Sequence, residues 1–268
     1  MIGVELRKLV LSPRTWLTIA LLDALPTLVA ILLALTDLGP RPGTGPAFLS
    51  AVLSDGSLFP LAAIAIVLPL FLPAAVAVIA GDAIAGEAQA GTLRYLLIRP
   101  VGRVRLLVAK LLAVIAFVLL AVLVVAGTAY VVGTLLLGDQ PVATSVSGST
   151  LTSDQVAWRT ALSLAYATLS MLGVAAIALF LSTVSDSPLA AAMGALAFLI
   201  ASTLLLTLDA ADALQPYLPT RYWLSFVDLF RDPILWRDVV RGVGLQGVYV
   251  TVFLGAAWAN FTTKDITS

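Results

Sequence analysis

The chain has 268 residues, of which 60% are hydrophobic and 11% charged, with equal numbers of basic and acidic side chains. A soluble domain carries roughly 45–50% apolar and about 25% charged residues, so a water-exposed fold is excluded, and the balanced charge without a basic block excludes the electrostatic footprint of a nucleic-acid binder. With no cysteine, no histidine and three methionines, there is no disulfide, thiol nucleophile, haem ligand, metal site or ordinary near-neutral general base to expect.

Ile2, Leu6, Leu9 and Val10 recur at helical spacing around Glu5, Arg7 and Lys8, before Ser12 and Pro13 interrupt; this predicts a short amphipathic helix lying on a membrane face. Residues 15–35 form the first span, since about 20 residues at a rise of about 1.5 Å match an apolar core of about 30 Å. A cleaved signal peptide is the alternative, but its apolar region would be shorter. Asp23 lies well inside this span. It is a candidate substrate contact or proton site; the alternatives are an acid satisfied by a neighbouring helix and a span that starts later.

A Gly/Pro-rich loop over 37–57 leads to a second span, 58–80, in which Pro60, Pro69 and Pro73 predict kinks or a broken helix. The stretch from Gly81 to Arg105 is polar, and a long third span follows over 106–137, its early Lys110 expected to project or snorkel to the cytoplasm. After a Ser/Thr/Gly loop over 138–155 come spans 157–181 and 189–208, antiparallel neighbours because the turn between them is short. Residues 209–242 hold an apolar stripe of Trp223, Phe226, Val227 and Phe230 opposite Asp228 and Arg231, as in an interfacial helix. Asp232 and Pro233 read as an N-cap and first-turn pair opening the helix into a last span, 243–259. Tyr217, Tyr222, Trp223, Trp236 and Trp258 are read as interface anchors.

Small residues at Gly247, Thr251, Gly255 and Ala259 mark one face of the last span for close packing, within the chain or at a dimer seam, with intrachain packing preferred; Ala190 and Gly194 do the same on the fifth. The fold class is thus an all-α membrane protein of six spans in a single domain, 1–268. Arg7, Lys8, Arg14, Arg94, Arg99, Arg103, Arg105, Lys110 and Lys264 fall on one side, which places both termini in the cytoplasm.

The segment from Gly81 to Lys110 combines Asp82 and Glu87 with an apolar patch of Leu93, Leu96 and Leu97, then Pro100. That pattern predicts an amphipathic helix with a hard stop; a helix merely resting on lipid headgroups is the bland reading. In the order Glu87, Gly91, Thr92, Leu96, Leu97, Pro100, Arg103, Lys110, with its elbow-like first helix and its layout of spans, the chain resembles the permease subunits of ATP-binding-cassette transporters of the second exporter type. Gly102 departs from the pattern, standing where many relatives have a small hydroxyl residue.

The resemblance implies a coupling helix over 82–103, with Glu87 and Arg94 contacting a separate ATPase and with Pro100 and Arg103 setting the angle into the third span. It implies two copies of an ATP-binding subunit as partners, a second permease chain, identical or homologous, and membrane lipid around them. ATP and Mg would sit on the partner, with no cofactor bound by this chain, in a prokaryotic plasma membrane. No Gly-Lys pair occurs, so a nucleotide-binding loop is absent, as are the common hydrolase motifs, and no catalytic residue is expected. The resemblance implies export, and a charge-poor path favours an amphipathic or lipid-like cargo over a metal ion. A proton-coupled secondary transporter using Asp23 and a non-transporting membrane anchor or assembly factor are the rival expectations.

Overall fold

The computed structural model describes residues 2–36, 55–92, 102–138, 143–144, 147 and 149–263. Helix α1 (Ile2–Leu11) stops at Ser12, and Pro13 opens α2 (Pro13–Leu35), a position where its missing N–H has no helical partner to lose. A 3₁₀ turn (Gly56–Leu58), capped by Asp55 accepting the Ser57 N–H at 2.9 Å, leads into α3 (Phe59–Val67). After a break over 68–70 comes α4 (Phe71–Gln89). Pro69 lies in that break and Pro73 in the first turn after it, and neither can donate to the carbonyl four residues back.

The second span therefore departs from its expected limits: it does not end at residue 80 but stays helical through Gln89. The reason is tertiary. Gly81 is backed against α7, where an added Cβ would lie 3.0 Å from the Ala192 nitrogen. From α6, the Ser182 hydroxyl accepts the N–H groups of Ile84 and Ala85 at 3.0 and 2.9 Å and donates to the Gly81 carbonyl at 2.6 Å. The small and polar residues that read as a connector are contact surface inside the bundle.

Helix α5 (Arg103–Leu137) is 35 residues long. The loop expected after it carries a short antiparallel pair, β1 (Ala143–Thr144) and β2 (Thr150–Leu151). Helix α6 (Ser153–Val184) starts earlier than its hydropathy suggests because Thr152 and Gln155 form a reciprocal capping box. Helix α7 (Pro188–Leu205) follows a tight turn, with Ser187 as its N-cap.

Residues 209–235 differ from the expected membrane-surface helix. They run as short 3₁₀ turns, the longest over Trp223–Phe230, which buries Trp223, Phe226, Leu229 and Phe230 against α6 and α8 (Trp236–Thr263). Trp223 is thus core and not an interface anchor. Side chains from the spans hold the segment by its carbonyls: Gln246 to Pro219 at 2.8 Å, Tyr166 to Tyr222 at 2.6 Å and Tyr249 to Tyr217 at 2.9 Å. Asp232 and Pro233 do not open the last helix, which begins at Trp236. The Asp232 carboxylate is taken by Ser149 at 3.2 Å and by buried Arg159 at 3.7 Å, joining the hairpin to α6.

Among the described residues six helices, α2, α4, α5, α6, α7 and α8, are long and apolar enough to cross a membrane. Helix α6 packs on α4, α7 and α8, while α5 packs on α1, α2 and α3. The shared core includes Phe59, Phe117, Met171 and Phe226, all fully buried. Leu17, Leu21, Leu123, Met193 and Val252 face outward along the spans, as an all-α membrane protein requires where lipid is the solvent.

The preference for intrachain packing of the small-residue stripe does not hold in this chain. Gly247, Thr251, Gly255 and Ala259 all lie on the exposed face of α8, and nothing approaches within 4 Å of a Cβ built at Gly247 or Gly255. Helix α8 packs within the chain through Val239, Gly242, Gln246, Ala257 and Phe261 instead. Ala190 is likewise exposed, and α7 packs through Ala191, Ala192 and Ala195, although Gly194 does meet Leu181. Spacing alone could not tell which of two faces carrying small residues turns inward.

Candidate functional site

One end of the bundle gathers α1, the first turns of α2 and α5, and the last turns of α4, α6 and α8. Its centre is a chain of charges. Lys110, on the second turn of α5, is buried to 4% exposure; its ammonium donates to Glu5 Oε2 of α1 at 3.0 Å and, in a shorter contact, to Glu87 Oε1 of α4. Lys8, largely exposed, reaches the same Glu87 oxygen at 3.5 Å. Glu87 Oε2 is buried and, among the described residues, has no hydrogen-bond partner. Lys110 therefore does not snorkel: two carboxylates offer it charge compensation inside the protein, which stretching to water would forfeit. Glu87, expected at a docking surface, is instead an internal member of this lock.

The Gly-Thr pair has an equally local explanation. Gly91 adopts φ +67° just past the end of α4, a conformation that glycine enters without a Cβ penalty. Its N–H donates to the Ala88 carbonyl at 3.0 Å, and the Thr92 N–H donates to the Glu87 carbonyl at 2.9 Å. Those two bonds define a Schellman C-cap. The Thr92 hydroxyl adds a third donor, to the same Glu87 carbonyl at 3.2 Å. Glu87 is thus held twice, by its side chain and by its backbone.

Beyond Thr92, residues 93–101 lie outside the described residues, and with them Leu93, Arg94, Leu96, Leu97, Arg99 and Pro100; Lys264 does too. The chain re-enters at Gly102, the N-cap of α5. Arg103 then donates to the carbonyls of Phe261 and Thr262 at 3.2 and 3.0 Å, placing a guanidinium on the negative end of α8. Asn260 of α8 donates to Thr183 of α6 at 3.0 Å. The described residues on either side, Thr92 and Gly102, thus sit at the ends of helices that continue into the bundle.

Asp23, half-buried in α2, accepts a short hydrogen bond from Thr128 of α5. A neighbouring helix thus satisfies this acid. At the opposite end, Arg159 donates to the Arg231 carbonyl at 3.0 Å and sits 5.8 Å from the Trp158 ring centroid. Reading the chain did not single out Glu5, Arg159 or Ser182 as site residues. For Glu5 and Arg159 the available signal was a charge beside an apolar stretch; for Ser182 there was none, since its partners lie about 100 positions away.

Beside the charge lock opens a cavity of about 430 Å³, lined by Glu5, Lys8, Arg14, Asp82, Glu87 and Lys110 over an apolar floor that includes Ile79 and Val114. Fold and site together define a multi-helix membrane protein with an ion-locked end. Over residues 28–267 the chain belongs to the family described as protein of unknown function, DUF2705. No curated protein matches it.

Proposed function

We propose that this chain is the membrane-spanning subunit of an ATP-driven ABC transporter, exporting an amphipathic or lipid-like substrate. In this reading α1 is the elbow, and the segment over 82–103 couples to a separate ATPase subunit present in two copies. A second permease chain completes the complex, and catalysis belongs to the ATPase. The locked end would face the cytoplasm of a prokaryotic cell, with both termini on that side.

The observation that carries the proposal is mechanical. A push on the 93–101 segment reaches α4 through the Gly91–Thr92 cap and α5 through Gly102. It reaches α1 and α8 through Glu5–Lys110 and Arg103–Phe261. A lever for an external motor needs such connections, because ATP can shift access only if the two states differ in contacts that the motor feels. Glu87 is buried, so in this reading it serves as the lever's fixed end and Arg94 is the contact candidate.

The test is co-purification in mild detergent with identification of what accompanies the chain. R94A should reduce recovery of an ATPase subunit while membrane insertion stays intact; an unchanged yield, or no ATPase in the wild-type preparation, argues against the coupling role. The proton-coupled alternative rests on Asp23. Its Thr128 hydrogen bond gives it a structural role, so D23N should leave ATP-dependent flux in place; loss of flux together with its pH dependence would favour that alternative.

A further inference from the structure

We infer that the cavity beside the charge lock binds the headgroup of an aminophospholipid, with the ammonium directed to Glu87 and the phosphate to Lys8 and Arg14. The inference is independent of any ATPase: it concerns a resident lipid, not a cargo. It starts from an imbalance. Glu5 and Glu87, whose side chains are 14% and 11% exposed, share one buried ammonium, that of Lys110. Among the described residues the only other cation on Glu87 is Lys8, at 3.5 Å and 66% exposed. Among the described residues Glu87 Oε2 has no hydrogen-bond partner. A buried carboxylate oxygen without a donor is costly, and the terminal torsion of a glutamate is soft enough to turn that oxygen toward a donor in the adjoining space.

The chemistry of that donor follows from the surroundings. A carboxylate oxygen only accepts, so its partner must be a hydrogen-bond donor, and an ammonium brings the opposite charge as well. The cavity wall carries three acids, Glu5, Asp82 and Glu87, and three bases, Lys8, Arg14 and Lys110. A ligand of no net charge but with separated ends suits it: ammonium toward the acids, phosphate toward the exposed Lys8 and Arg14. At about 430 Å³ it is of small-ligand size.

The same ligand must carry chains. The floor is apolar, and the exposed surface of α1 and α2 next to the cavity continues with Leu11, Leu17 and Leu21, at 67%, 62% and 65% exposure. Acyl tails leaving the cavity would lie on that surface, which a soluble amine would leave bare.

The full chain, purified in mild detergent and equilibrated with mixed micelles of phosphatidylethanolamine, phosphatidylcholine and phosphatidylglycerol, tests this by native mass spectrometry of the retained lipid. Phosphatidylethanolamine should be retained about tenfold over phosphatidylcholine, whose trimethylated nitrogen has no N–H to give, as expected for one charge-assisted hydrogen bond. E87Q should bring the two lipids to near parity. D82N, at the exposed rim and outside the lock, should lower the preference without unfolding the protein. R14A should weaken both lipids together.

Equal retention of the two lipids by the wild type, or preference for phosphatidylglycerol, would overturn the assignment, as would an undiminished preference in E87Q and D82N. Glycerophosphoethanolamine, which has the same head without chains, should compete at least about tenfold less well; equal competition would mean a soluble ligand and would overturn the lipid assignment.

Discussion

Replacing Lys110 with methionine removes the one buried cation that compensates Glu5 and Glu87. Methionine keeps the unbranched shape and the apolar stem contacts, so the loss is electrostatic. With Lys110 4% exposed and its two partners 14% and 11% exposed, the cost falls in the range for breaking a buried pair, about 3–5 kcal/mol. E87Q alone leaves Lys110 paired with Glu5 and should cost less, about 1.5–3 kcal/mol, the value of a hydrogen bond to a charged group. In the double variant E87Q/K110M the buried charges are gone except for Glu5. That side chain belongs to a helix with no buried residues and can turn to water. The double variant should therefore be more stable than K110M alone, with an interaction energy of about 2 kcal/mol or more in the double-mutant cycle. Reversible unfolding in mixed detergent–SDS micelles, followed by tryptophan fluorescence, reads all four corners. If the single costs simply add, with an interaction below about 0.5 kcal/mol, Lys110 and Glu87 are not the coupled pair described here.

Three further outcomes follow from the packing. S182A removes the hydroxyl that serves Ile84, Ala85 and Gly81. It should cost about 1–3 kcal/mol in the same unfolding assay and speed amide exchange at Ile84 and Ala85. G242A drives a methyl group into the Tyr166 hydroxyl and to 2.9 Å from the Tyr222 Cβ, and should cost about 1–3 kcal/mol; G247A and G255A meet open space and should be neutral or stabilising by up to about 1 kcal/mol. The opposite ranking would restore the exposed stripe as an intrachain seam. G91A places a Cβ at φ +67° and should destabilise the α4 C-terminus by about 1–2 kcal/mol, whereas G91N, which tolerates that region better, should recover part of the loss.

How much was legible in advance depends on how far each determinant reaches along the chain. Gly91 could have been read as a C-cap, since a glycine just past the last helical residue is a local signal. Glu87 and Lys110 were both singled out, but as outward-facing groups, because charge near a span end ordinarily means water. The stripe on α8 does not pack within the chain as preferred, because the helix carries small residues on both faces. Gly242 packs inward and Gly247 outward, and only the positions of Tyr166 and Tyr222 separate them.

The amino-acid sequence by itself determined that this is a helical membrane protein of six apolar segments, with a proline-linked break inside the second. Hydropathy, proline chemistry and glycine conformation act over a few residues and need no partner. Tertiary structure alone decided that the second span runs on to Gln89, that Lys110 is buried between two acids, and which face of the last helix turns inward. Each of these depends on contacts between different helices, such as Glu5 with Lys110, 105 positions apart, and Gly81 with Ser182, 101 apart, and a contact between distant residues exists only once the chain has folded.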